Sequence, residues 1–197
     1  MSFNATTFRT KLSSAGGGAR PSLYKVKINQ GANGALSLSP TETILVKAAV
    51  MPGSTIAPLT VNYAGRAYKW QGFRTFDNWT VTVINDENFS IRNKMMEWMR
   101  WLSGKMDGTR TTKYGPPAST TSGGWFDGSA EVTQVGTDGV AKQTYKMFNL
   151  WPTELGEIAV DWSSDMIQEY TIGFAYDYWS SGTGSSTTNA LPPPPLG

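Results

Sequence analysis

FDNWTVTVI, Phe76 to Ile84, runs directly into NDENFSIRNKMMEWMRWL, Asn85 to Leu102, and the pair sets a strand beside a helix in one continuous stretch. In the first part Trp79, Val81 and Val83 alternate with Asn78, Thr80 and Thr82, a period of two that predicts a strand with one face in a core and the other in water. In the second part the period changes. Steps of about 100° put Ile91, Met95, Trp98 and Leu102 on one helical stripe, with Met96 and Met99 to one side and Trp101 to the other. Asn85, Asp86 and Asn88 can cap this helix, Asp86 and Glu87 set negative charge at the positive end of its dipole, and Ser103-Gly104 ends it. Its apolar arc is roughly 220° wide, where a surface helix needs roughly 100°. Either the segment after Ser103 folds over the excess or a neighbouring subunit does, and Trp, Met and Arg are residue types enriched at such interfaces.

Outward from this unit the chain reads as short strands and tight turns. LYKVKI (Leu23 to Ile28), ILVKAAVM (Ile44 to Met51, closed by Pro52-Gly53) and LTVNYAGRAYKW (Leu59 to Trp70, with Ala64-Gly65 at a hairpin turn) precede it. SAEVTQV (Ser129 to Val135), the turn Thr137-Asp138-Gly139 and AKQTYKMFNL (Ala141 to Leu150) form a second hairpin; GEIAVDW (Gly156 to Trp162) and QEYTIGFAYDYW (Gln168 to Trp179) follow. The expected fold is mainly β, an antiparallel β-sandwich or barrel of about eight strands with one packed α-helix. The domain is expected over residues 21-179, after a flexible N-terminal segment, residues 1-20, that ends in GGGAR. Residues 105-127, rich in Gly, Thr, Ser and Pro, read as a long loop that is mobile or orders against a partner. Residues 180-197, SSGTGSSTTNALPPPPLG, read as a disordered Pro-rich tail.

The 197 residues include no cysteine and no histidine. Disulfides, thiolate nucleophiles, cysteine metal sites, the usual general base and the commonest metal ligand are all removed with them. A Ser or Thr nucleophile with a Lys base stays formally open, but no spacing points to one. The carboxylate pairs Glu154 with Glu157 and Asp161 with Asp165 could serve a glycosidase or a hard cation; a solvated surface is the plainer account. No phosphate-cradling glycine loop is present, so no cofactor is expected. No apolar run reaches the roughly 18 to 20 residues needed to cross a bilayer, and MSFNATTFRTKLSS lacks a signal peptide's apolar core, so synthesis and retention in a cytosol are expected. The glycosylation triplets at Asn4, Asn78 and Asn88 are then chance.

Charge is nearly balanced, 17 bases against 15 acids, but unevenly placed. Glu154, Glu157, Asp161, Asp165, Glu169 and Asp177 lie between Leu150 and Trp179 without a single base, whereas Met1 to Ile28 carries Arg9, Lys11, Arg20, Lys25 and Lys27 without an acid. Complementary surfaces within one monomer, copies meeting head to tail, or an acidic face lining a passage that repels phosphates would each account for this.

Several segments together resemble the tail tube protein family of contractile-tailed, T-even-like bacteriophages: ARPSLYKVKI (Ala19 to Ile28), GFRTFDNWTVTVINDENFSIRNKMMEW (Gly72 to Trp98), LWPTELGEIAVDW and QEYTIGFAYDYW. The order of FDNWTVTV, NDE, LWPTELGE and DYW is more specific than any one of them. The resemblance implies a structural subunit with no catalytic residues, whose copies form hexameric rings that stack into a tube. Inner strands would join into a continuous barrel, with tail sheath protein outside, tape-measure protein and DNA inside, and baseplate proteins at one end. It implies a place in the virion, and ring-to-ring contacts for the N-terminal segment and the 105-127 loop. The candidate interface residues are accordingly Met96, Trp101, Lys113 and Tyr114, and the candidate lumen residues Glu157, Asp161, Glu169 and Asp177. Trp101→Ala is expected to impair assembly more than folding if a neighbour covers that ring. A tube subunit of a phage-derived secretion or injection machine shares this architecture; a monomeric carbohydrate-binding sandwich, using the many aromatics, is the reading from a different class. The 105-127 loop and the tail match nothing in the family pattern.

Overall fold

In a computed structural model, residues 4–14, 16–30, 37–103 and 128–183 are described, the side chains of Trp101 and Ser103 excepted. Three helices and nine strands follow in the order α1 (Ala5–Ser14), β1 (Tyr24–Asn29), α2 (Pro40–Thr43), β2 (Val46–Ala49), β3 (Thr55–Tyr63), β4 (Arg66–Thr75), β5 (Trp79–Ile84), α3 (Ser90–Ser103), β6 (Gly128–Val135), β7 (Ala141–Leu155), β8 (Glu169–Ala175) and β9 (Tyr178–Thr183). All pairings are antiparallel.

Strand β7 organises the two layers. Its N-terminal part lies between β6 and β9, with Lys146 opposite both Glu131 and Ser180; its C-terminal part pairs with β8, with Trp151 opposite Ala175. The layers are therefore β1-β6-β7-β9 and β7-β8-β5-β2, sharing one strand. At the crossover Asn149 takes φ 55°, a conformation asparagine tolerates better than most residues. Pro152 lacks a donor, but β7 is at a sheet edge there and the register shifts beside it, where proline is tolerated. Two expectations change accordingly. GEIAVDW is not a strand: β7 runs on through Trp151-Pro152 to Leu155, and residues 156–168 form a loop. Gln168 to Trp179 is not one strand either, because the chain turns at Tyr176-Asp177 between β8 and β9. The N-terminal segment contains α1, which has no buried residue. The expectations for residues 105-127 lie outside the described residues, as do those for the tail beyond Thr183.

The core draws Val26, Ile28, Ala130, Val132 and Met147 from one layer and Trp79, Val81, Val83, Tyr170, Ile172 and Phe174 from the other. The alternation in FDNWTVTVI holds, with Trp79, Val81 and Val83 inside. From α3 come Ile91, Met95 and Trp98, with Leu102 half-buried, as the helical stripe predicts. Trp98 is fully buried against Phe174, ring centroids 6.4 Å apart. Gly128 makes room for it: a Cβ there would stand 2.7 Å from the Trp98 ring and 2.1 Å from the Leu150 carbonyl oxygen. Asp86 caps α3, accepting from Ser90 N at 2.9 Å and Ser90 Oγ at 2.6 Å.

The short helix α2 is fixed by a capping box, Ser39 and Glu42 satisfying each other's backbone N–H. Lys94 of α3 donates to Glu42 Oε2 at 2.7 Å and thereby staples the two helices. Burial works to raise the Glu42 pKa, but the bonds from Lys94 and Ser39 outweigh it and hold the carboxyl below its ordinary value of 4.5. A lowered folded pKa contributes stability that is complete above pH 4.5 and is lost as pH falls through the folded value. Glu42→Gln is expected to cost about 1 kcal/mol at neutral pH, with the deficit shrinking below pH 4.5. Urea denaturation of both chains across that range measures it, and a deficit independent of pH contradicts the assignment.

Candidate functional site: the assembly surfaces

Strands β3 and β4 form a hairpin outside both layers, pairing only with each other. Its turn is Ala64-Gly65, at φ 50° and 76°, the positive values that two-residue hairpin loops require. Register places Leu59 opposite Trp70, Val61 opposite Tyr68 and Tyr63 opposite Arg66, so four apolar residues and an aromatic share one face. Thr60, Lys69, Asn62 and Ala67 take the other. This is the alternation of a half-buried strand. Yet Leu59, Val61, Tyr63, Tyr68 and Trp70 are all exposed, as is Phe73 at 91%.

The hairpin is held at its base. Trp79 Nε1 donates to Val50 O at 2.6 Å and Trp179 Nε1 to Gly53 O at 3.0 Å, gripping the leg that leads into β3. On the returning leg the Arg74 guanidinium lies 5.3 Å from the Phe76 ring centroid and 5.2 Å from that of Trp179, and donates to Ser54 Oγ at 2.8 Å. The tryptophans of DNW and DYW thus do different work from the rest of the core: each has its ring inside and its N–H on the root of the arm. Arg74→Ala is expected to cost about 1–2 kcal/mol and to speed amide hydrogen exchange through β3 and β4. Arg74→Lys should recover only part, because an ammonium cannot stack flat between two rings. Unchanged exchange in the alanine variant would mean that the clamp does not hold the arm.

Three strand edges are also open among the described residues: β1 pairs only with β6, β9 only with β7, and β2 only with β5. A groove of about 590 Å³ runs beside β1, floored by Val26, Leu38 and Val46 and flanked by Tyr24, Pro40 and Ile44. Tyr24 spans it at one end, donating its hydroxyl to Val46 O at 3.0 Å.

The residues expected from sequence to carry function fall in different places. Met96 lies on α3, beside the buried stripe, and is 39% exposed. The side chain of Trp101 is outside the described residues, and so are Lys113 and Tyr114. Glu157 and Asp161 are exposed on the loop after β7. Glu169 opens β8 and Asp177 follows its far end, so they are not brought together. The acids are not all uncompensated: Lys47 Nζ of β2 lies 2.5 Å from Glu169 Oε1, and Asn149 Nδ2 donates to Asp177 Oδ2 at 2.6 Å. Among the described residues no three of Asp and Glu converge on a point that could hold a metal ion. No helix among them is long and apolar enough to cross a membrane.

A sandwich with this topology occurs in contractile injection systems. A chain of the anti-feeding prophage tube-terminating cap superposes with a TM-score of 0.58 at 14% identity, covering 84% of this chain and 91% of that one. For the sheath-tube complex of the PVC extracellular contractile injection system in its extended state the values are 0.55 and 11%, over 92% and 99%. The protein therefore has the fold of components of contractile injection machines. More narrowly, the chain belongs to the phage tail tube protein family, whose model matches residues 19–181. Tail tube protein gp19 of Enterobacteria phage T4 is 33% identical over 172 residues, 86% of this chain and 96% of that protein. Its counterpart in Enterobacteria phage T6 is 34% identical over 173 residues, with the same coverage.

Proposed function

We propose that this chain is the tube subunit of a contractile phage tail, forming hexameric rings that stack into a conduit for DNA, with sheath outside and tape-measure protein inside. The observation that carries the reading is the β3–β4 arm, a strand pair with one apolar face and no layer beneath it. An arm that alternates as a core strand does, but meets no core, is matched to a surface on another molecule. Open edges at β1 and β9 suit the joining of sheets between copies, since an unpaired strand edge is a template for the next strand. The family supplies the kind of partner, a further copy of the same chain.

On this reading function is geometric, and no catalytic group is called for. Electron microscopy of the purified chain, with sedimentation velocity beside it, tests the proposal. Rings or tubes of uniform diameter are expected; a monomer under every condition, including high concentration and seeding with tail baseplates, would remove it. Partition of the chain into purified virions, and loss of DNA ejection when it is depleted, would separate a tail tube from an injection machine.

A further inference from the structure

Two other surfaces are built to be covered. The first is α1, where Ala5, Phe8 and Leu12 form a narrow stripe at about 100° per residue, with Arg9 on one flank and Lys11 on the other. Its hydrogen bonds stay within its own segment, such as Thr6 N to Asn4 Oδ1 at 2.9 Å and Gly17 N to Leu12 O at 2.8 Å. Ten residues with none buried fall short of the roughly 12–15 at which an isolated helix persists in water. Acids to meet its cations are scarce in the segments outside the described residues, which hold only Asp107 and Asp127 against Lys105, Arg110 and Lys113.

The second surface is the loop 156–168. Val160, Met166 and Ile167 are exposed and Trp162 is 100% exposed, among Glu157, Asp161 and Asp165. No Lys or Arg follows Lys146 in the chain. The loop is nonetheless shaped. Arg92 Nη1 donates to Gly156 O at 2.9 Å and Gly156 N to Thr171 O at 2.7 Å, fixing its root. Asp161 Oδ1 accepts from Ser163 N at 3.0 Å and Ser163 Oγ at 2.8 Å, turning the chain just after Trp162.

We propose that the loop 156–168 is the docking surface for α1 of a second copy of this chain, Phe8 and Leu12 packing on Trp162 and Met166 while Arg9 and Lys11 face Glu157 and Asp165. Charge selects this occupant. Each surface has an apolar centre and charges of a single sign around it, and the signs are opposite. The β3–β4 arm also carries bases, but Lys69 is on its polar face and Arg74 is held between Phe76 and Trp179. The contact rests on the self-assembly proposed above and names one of its joints.

A chain without cysteine allows a direct test. Two separately purified variants, Phe8→Cys and Trp162→Cys, are mixed, assembled and treated with a short bis-maleimide. A crosslinked dimer containing one of each is expected, and it can form only between copies. Capture of Trp162→Cys by Leu59→Cys of the arm and not by Phe8→Cys would overturn the assignment, as would tubes that form normally without any crosslink. In parallel, Arg9→Glu with Lys11→Glu should lower tube yield about tenfold with the monomer's thermal melt unchanged, and adding Glu157→Lys with Asp165→Lys should restore it. Undiminished yield from the double reversal also overturns it. If the unaltered chain forms no oligomer at all, the assembly reading fails first and takes this contact with it.

Discussion

Trp98→Ala is expected to leave little folded protein at room temperature. The indole is fully buried at the meeting of α3, Phe174 and Gly128, and backbone lies too close around Gly128 for the site to collapse onto a smaller side chain. Truncating a ring so placed costs about 3–5 kcal/mol, out of a total stability of about 5–15 kcal/mol for a domain of this size. Because the loss falls on the monomer, assembly should fail only as a consequence of unfolding. Urea denaturation gives the number; a change under about 1 kcal/mol would show that Trp98 is not the keystone of the helix-sheet contact. Phe is the informative companion, since it should recover part of the loss.

The second large effect should leave the monomer untouched. Leu59 and Trp70 face each other across the arm, and both are more than half exposed. Replacing both with Thr keeps residues that favour strands, so monomer stability should move by no more than about 0.5 kcal/mol. If the face is covered in the assembly, burying each apolar side chain contributes about 1.5–3 kcal/mol, and the pair together on the order of a hundredfold or more in subunit affinity. No tubes are expected in micrographs of the double variant at concentrations where the unaltered chain forms them. Tubes of ordinary length and number would place the apolar face elsewhere than in a joint.

The contrast between these variants explains which parts of the structure were legible in the sequence. FDNWTVTVI and the Ile91-Met95-Trp98 stripe were readable because their periods report burial within the same chain, and their partners are present. The turn at Ala64-Gly65 was readable from its residue types. Alternation along β3 and β4 was equally plain, but a period says that one face is covered and not by which molecule. GEIAVDW misled for a related reason. Val160 and Trp162 carry the composition of a strand, while Asp161 turns the chain through its carboxylate and leaves both exposed. The acids of the same region were counted correctly in sequence, but Lys47, distant along the chain, reaches Glu169 only because β2 and β8 flank β5.

The continuity of β7 bears on how such a subunit responds to force. Its fifteen residues belong to both layers, so the layers are joined by covalent backbone as well as by side-chain contacts. Shearing one layer past the other must pull on that strand lengthwise, loading its hydrogen bonds to β6, β8 and β9 together and not one after another. A wall assembled from such units would be stiff against sliding and would yield, if at all, by bending at Asn149, the joint where the strand passes from one layer to the other.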